Sequence, residues 1–128
     1  MDRKKWDKKY AITHKEHRAE HRAFLKENDK HYNAGRLVRR YRQSDLKYNR
    51  GECTITAEWL EENIYTKPCL YCGETDWHKL GCDRIDNRKP HTPTNCIPCC
   101  KRCNEVRQRK GFLDYYYERF TEMQIQEQ

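Results

Sequence analysis

Apolar residues are sparse in the first fifty positions, and where they occur their spacing is helical. From Lys15 to about Lys30 there is no Gly or Pro, and only Ala19, Ala23, Phe24 and Leu25 are apolar, which predicts a polar, solvent-exposed helix. Asn33-Ala34-Gly35 reads as a break. After it, Leu37, Val38 and Tyr41 fall on one face of a second helix, surrounded by Arg36, Arg39, Arg40 and Arg42. Gly51 marks the next boundary. Thr54-Ile55-Thr56 then has the pattern of a short strand, and Thr56 is placed to cap a helix whose third position is Trp59, running through Leu60 to about Ile64. Lys67-Pro68 stops that helix.

Between Gly81 and Cys99, two short apolar runs flank the turn-forming stretch from Asp86 to Pro93, a pattern that predicts a hairpin with a long connection. A helix is expected from about Lys101 to Lys110, ended by Gly111. The run from Phe112 to Phe120, with Tyr115, Tyr116 and Tyr117, is expected to cover the core as a last helix. Helices around one hairpin, with no internal repeat, make the expected fold class α+β.

With 128 residues the chain has room for one core. It is 37% charged and 35% hydrophobic, with a mean hydropathy of -1.34, so apolar burial alone is too small to order it and a staple is expected. Charge is uneven. Residues 1–50 hold 16 Lys and Arg against 7 Asp and Glu, whereas residues 51–128 hold 11 against 13. A segment at +9 preceding one at -2 suggests a basic arm, residues 1–50, that brings the module of residues 51–128 onto a polyanion. The opening stretch, Met1 to Trp6, has no apolar run, and nothing in the chain approaches a membrane span. The expectation is a cytosolic, reduced protein without a membrane partner, in which eight cysteines point to metal rather than disulfides.

Cys69-Leu70-Tyr71-Cys72 and Cys100-Lys101-Arg102-Cys103 are two C-x-x-C pairs, the spacing at which four thiolates reach one tetrahedral Zn²⁺. Gly73 supplies the tight turn after the first pair. Cys96-Ile97-Pro98-Cys99 has the same spacing, but its proline suits a strand end better than a knuckle, so Cys100 and Cys103 are preferred. Cys53 and Cys82 have no partner at ligand spacing and read as small apolar fillers. His14, His17 and His21 share a helix face, more simply a solvated or DNA-facing surface than a metal site.

Between the zinc pairs lie Leu80-Gly81-Cys82-Asp83-Arg84-Ile85-Asp86-Asn87 and Thr92-Pro93-Thr94-Asn95, and Cys103-Asn104 follows. This order resembles the HNH endonucleases, in which a hairpin and a following helix form a ββα-metal site. The resemblance covers roughly residues 52–110, with the core at 69–110, and is closest to the branch whose first motif reads Asp-Arg-x-Asp in place of Asp-His, as in some phage enzymes and a rare-cutting restriction enzyme. It implies that Asp83 and Asn104 bind a catalytic Mg²⁺ or Mn²⁺, and that the Asn95 amide braces the hairpin loop. It further implies hydrolysis of DNA phosphodiester bonds to 5′-phosphate and 3′-hydroxyl ends. The setting would be restriction, homing or packaging in a bacterial or phage-infected cell, and double-strand cutting would need a dimer or two binding events.

Arg84 stands where the histidine base normally does, and arginine keeps its proton at any working pH. Its expected role is to grip a phosphate oxygen. Tyr71 and His91 are the candidate bases, with hydroxide on the ion itself as the third; His91 occupies a position usually aromatic in the family, and Pro90 one that is often glycine. Asp86 and Asn87 are expected to cap the loop through backbone amides. Arg88, Lys89, Lys101 and Arg102 beside the site, and Arg36, Arg39, Arg40 and Arg42 on the arm, are the expected contacts to double-stranded DNA.

Overall fold

Asp29, rather than the Asn33-Ala34-Gly35 stretch, divides the first two helices. In the computed structural model, which describes residues 3–108 and 110–127 and side chains over 14–108 and 110–121, α1 spans Arg3–Asn28 and α2 spans Lys30–Lys47. The charged opening stretch from Met1 to Trp6 falls outside the described side chains. Asp29 accepts the Tyr32 N–H at 3.0 Å and so satisfies an orphan donor of the first turn of α2. Gly35 is carried inside α2, where the helix absorbs its modest propensity cost.

α2, expected as part of the basic arm of residues 1–50, packs into the core. Ala34 and Val38 are buried with Leu60 and Ile64 in one cluster, and Asn33 donates to the Tyr65 hydroxyl at 2.9 Å. Residues 14–24 of α1 are all exposed. The arm therefore divides into a helix built into the core and a helix that projects from it.

Thr54 to Thr56 is extended but forms no strand. The Thr54 N–H donates to the His91 carbonyl at 3.0 Å, and a single bond is no ladder. Ile55 is fully buried there, which accounts for the apolar signal. Thr56 does cap α3 (Ala57–Leu60), accepting from the Trp59 N–H at 3.1 Å. The chain then widens into a π-helical turn, Glu61–Tyr65, which buries Ile64 and Tyr65.

The expected hairpin is present: β1 (Leu80–Arg84) pairs antiparallel with β2 (Cys96–Cys100), in a register that sets Leu80 against Cys100 and Arg84 against Cys96. Strand alternation places Cys82 and Cys96 on one face and Asp83 and Cys99 on the other. α4 (Lys101–Arg107) follows without a loop. It ends at Gln108, whose positive φ of 43° turns its N–H back to the Asn104 carbonyl, short of the expected stop at Gly111. α5 (Phe112–Glu127) then lays Tyr115 over the cysteines. The architecture is α+β with a two-stranded sheet among the described residues, and no described helix is long and apolar enough to cross a membrane.

Candidate metal centre and hairpin site

The first knuckle is closed by backbone. Gly73 N–H bonds to the Cys69 carbonyl at 2.9 Å and Cys69 N–H to the Glu74 carbonyl at 2.8 Å, a turn that puts Gly73 at φ +82°, where a Cβ would be strained. Leu70 N–H to Pro98 O at 2.9 Å fastens this knuckle to β2. The second pair is formed by the strand-to-helix junction: Cys100 is the N-cap of α4, its sulfur accepting the Cys103 N–H at 3.4 Å.

The four sulfurs of Cys69, Cys72, Cys100 and Cys103 all lie within 4.8 Å of one another, so these residues could hold a metal ion. Four thiolates at about 2.3 Å from a tetrahedral Zn²⁺ stand about 3.8 Å apart, and Cys72 Sγ and Cys100 Sγ are 3.6 Å apart. The donor set therefore fits zinc. Cys99 stands beside the cluster, its thiol donating to the Cys100 carbonyl at 3.3 Å. Interaction with Cys99 is the first reason the Cys69 thiol is pushed down to about 4, while Cys69 and burial push Cys99 itself up. Burial pushes the Cys103 thiol up, and the neighbouring Tyr115 hydroxyl offsets part of that rise. Outer donors of this kind orient and tune ligating thiolates. Neither Cys96 nor Cys99 is among the four clustered sulfurs, so the cluster takes Cys100 and Cys103 rather than the Cys96–Cys99 pair.

Asp83, in β1, is 4% exposed. Its Oδ2 accepts the Tyr71 hydroxyl at 2.6 Å and Nη1 of Arg107, itself buried. Arg107 also donates to the carbonyls of Arg84 at 2.9 Å, Ile85 at 3.3 Å and Lys110 at 3.1 Å. The guanidinium thus ties the end of β1 to the end of α4 and neutralises the carboxylate in a place where an unpaired charge is costly. Burial, reinforced by the bond to Asp83, pushes the Tyr71 phenol up and away from phenolate. Tyr71 is a donor here, which works against the base role expected of it.

Asn95 is 7% exposed and braces the loop from both ends of its amide. Its Oδ1 accepts the Asp86 N–H at 2.8 Å, and its Nδ2 donates to the carbonyls of Asp86 at 3.1 Å and Pro90 at 3.0 Å. Asp86 caps the Arg88 N–H at 3.0 Å and pairs with the Arg88 side chain. Arg84 is half-buried, and its Nη1 donates to the carbonyls of Asn87 at 2.5 Å and Lys89 at 3.2 Å. Burial, then the nearby Arg50, lowers its pKa from the usual guanidinium value.

His91 is directed elsewhere. Its Nδ1 and its backbone N–H each meet Asp45 Oδ2 at 2.9 Å, its ring stacks on Tyr41 with centroids 4.2 Å apart, and Arg50 holds the other Asp45 oxygen at 2.9 Å. Buried at 5% exposure and favoured as the neutral ring by that burial, His91 clips the hairpin loop to α2. It, too, is poorly placed for a base. Asn104 is exposed on α4, and among the described residues no hydrogen bond joins it to Asp83. Lys101 and Arg102 on α4, Arg88 and Lys89 in the loop, and Arg39, Arg40 and Arg42 on α2 are all exposed. Arg36 is half-buried and donates to Asn33 at 3.2 Å.

Arg107 and Asp45 went unnoticed in the sequence. Arg107 had a signal, because it stands four positions after Cys103 on one helix and must share that cysteine's inward face. Asp45 had none: its partner His91 is 46 positions away.

Compared with known proteins, the chain matches no known family's sequence pattern and no solved structure. Over 48 residues it is 40% identical to uncharacterized protein R423 of Acanthamoeba polyphaga mimivirus. That stretch is 36% of this chain and 9% of the viral protein, so the chain spans under a tenth of that relative's length.

Proposed function

We propose that this protein is a metal-dependent DNA endonuclease of the HNH type, hydrolysing phosphodiester bonds in double-stranded DNA to 5′-phosphate and 3′-hydroxyl ends. The observation that carries this reading is the hairpin braced by Asn95, with Asp83 at the end of β1 and Asn104 on the helix that follows at once, above a four-cysteine clamp. A divalent ion held by the Asp83 carboxylate and the Asn104 amide oxygen would polarise the scissile phosphate and stabilise the leaving oxygen.

The donor chemistry fits, with one oxygen engaged: both described bonds to Asp83 arrive at Oδ2, leaving Oδ1 for an ion. Tyr71 and Arg107 fix the carboxylate's orientation, and Asn95 fixes the loop. Arg84, Arg88, Lys89, Lys101 and Arg102 supply positive charge to the phosphates on either side. Tyr71 and His91 are each held in bonds unsuited to taking a proton from water, so the proposal assigns the base role to neither.

A second reading, a zinc-stabilised DNA-binding module without catalysis, is favoured by one observation. The Arg107 guanidinium sits against Asp83, a fixed cation where a second cation would have to bind. Supercoiled plasmid separates the two readings. Nicking with Mg²⁺ or Mn²⁺ that falls at least about a hundredfold in Asp83→Asn, which keeps acceptors for Tyr71 and Arg107, supports the enzyme. Binding without nicking in either metal sinks it and leaves the module.

A further inference from the structure

The described part of α1 sorts its charges by face. At about 100° per residue, Lys15, Arg18, Arg22 and Lys26 fall within a sector roughly 80° wide, and Glu16, Glu20 and Glu27 fall within one roughly 40° wide on the far side. All seven are exposed, and so is the rest of the helix over residues 14–24. None of the four cations has an acidic residue of α1 three or four positions away, where ion pairs stabilise a helix. Arg18 and Arg22, and Arg22 and Lys26, instead make like-charged pairs at that spacing, as do Glu16 and Glu20. Those pairs weaken an isolated helix. A helix that merely projects into water gains from the opposite arrangement, with acids and bases interleaved.

We infer that this cationic stripe of α1 is a docking surface for the phosphate backbone of double-stranded DNA, separate from the hairpin site. From Lys15 to Lys26 the stripe rises about 16 Å along the helix axis, close to the axial length of five base pairs. Three observations favour DNA over an anionic lipid surface. The stripe has no apolar companion face, since Ala19, Ala23, Phe24 and Leu25 are the apolar residues available between Lys15 and Lys26 and an interfacial helix needs a broad apolar side. The acidic residues opposite would meet a flat membrane unfavourably but face away from a rod. Finally, the cations form a line rather than a ring. The inference shares with the proposed function only the choice of DNA as partner.

The experiment measures binding of the full chain to a labelled 20-base-pair duplex in buffer without Mg²⁺ or Mn²⁺ and without chelator, so that cleavage is suppressed and the cysteine cluster is left intact, over a range of salt. Each phosphate contact contributes about 0.9 to the slope of log K against log salt. Lys15→Gln, Arg18→Gln, Arg22→Gln and Lys26→Gln together are expected to reduce that slope by about 3 to 4, with the far-ultraviolet circular dichroism retained. A control losing the same charge at Lys47, Lys67, Lys79 and Lys110, exposed cations outside α1, is expected to reduce it by less than about 1. Equal losses in the two variants overturn the inference, as does a wild type that does not bind the duplex. Tighter capture by phosphatidylserine vesicles than by the duplex, abolished by the α1 variant, would assign the stripe to membranes instead. Failure of plasmid nicking leaves this measurement untouched, so the two readings fail separately.

Discussion

Arg107 is the residue whose loss is expected to cost the most for its size. Its guanidinium is 1% exposed and is divided among one carboxylate and three carbonyls, from the end of β1 and the residue after it and from the turn after α4. Arg107→Ala strands the Asp83 charge in the interior, so urea denaturation should show a loss of about 3 to 5 kcal/mol. Asp83→Asn in the same background should recover part of it, because the stranded charge is then gone. His91 makes a pH-dependent contribution. Burial holds its folded-state pKa below the unfolded value of 6.5, so the unfolded chain takes up a proton first as the pH falls. The sign follows: stability is complete above about pH 6.5 and declines toward pH 5. His31 and His78 act oppositely, their pKa values raised by Glu61 for the first and by the Glu27 carbonyl and Asp76 for the second, and their contributions fade as the pH rises. The comparison is therefore between wild type and His91→Asn. Melting curves from pH 7.5 to 5 should show a steeper acid-side decline in the wild type, and parallel curves would refute the clip. At this scale the sequence was legible where chemistry is local. The cysteine cluster and the Asx cap of Asp86 involve residues within a loop or a repeated spacing, and the Asn95 brace was what the family resemblance implied. The clip of His91 to Asp45 was not, since no periodicity connects positions that meet only after α2 docks.

Helix starts were easier to see than helix interruptions. Thr56 capping Trp59 could be read from the order of residue types, and so could the hairpin, because turn formers between two apolar runs leave few alternatives. Asp29 has the same capping chemistry as Thr56, yet Gly35 attracted the boundary because glycine is the stronger breaker on average. Tertiary burial decided otherwise. Asn33, Ala34 and Val38 are buried on one face of α2, and that face carries the helix through Gly35. Thr54 to Thr56 errs for the same reason, since burial of Ile55 imposes extended backbone without a second strand to pair with. Gly35 offers a direct test of this view. A Cβ built there meets nothing within 4 Å, so the glycine serves neither packing nor a special conformation. Gly35→Ala should stabilise the protein by about 0.5 to 1 kcal/mol, read as a higher urea midpoint at unchanged slope. A destabilised variant would mean that α2 bends or opens at this position.

For the molecule as a whole, cysteine stands in for much of the core. Of the fifteen buried hydrophobic residues among the described ones, six are cysteines, and the aliphatic remainder is Ala34, Val38, Ile55, Leu60, Ile64 and Leu80. At about 25 cal/mol per Å² of apolar surface, so small a set does not order a chain that is 37% charged. The four clustered cysteines join a loop between the π-helical turn and β1 to the junction of β2 and α4. A bound ion would therefore close the hairpin, the knuckle and α4 as one unit, and α5 covers them through Tyr115 and the ring of Tyr71, whose centroids lie 4.6 Å apart. Ligation energy in such a site is folding energy, because the unfolded chain holds no preformed tetrahedron. Metal analysis of the purified protein should accordingly find about one Zn²⁺ per chain. Stripping it with a chelator should abolish near-ultraviolet dichroism from Tyr71 and Tyr115 while α1, which owes little to the core, keeps its far-ultraviolet signal. Readdition of Zn²⁺ should restore the near-ultraviolet signal, with half-recovery moving to higher metal concentration as the pH is lowered, since protons compete for the thiolates. A metal-free protein with unchanged melting would show instead that the six buried cysteines fill space as thiols and that the small aliphatic core suffices.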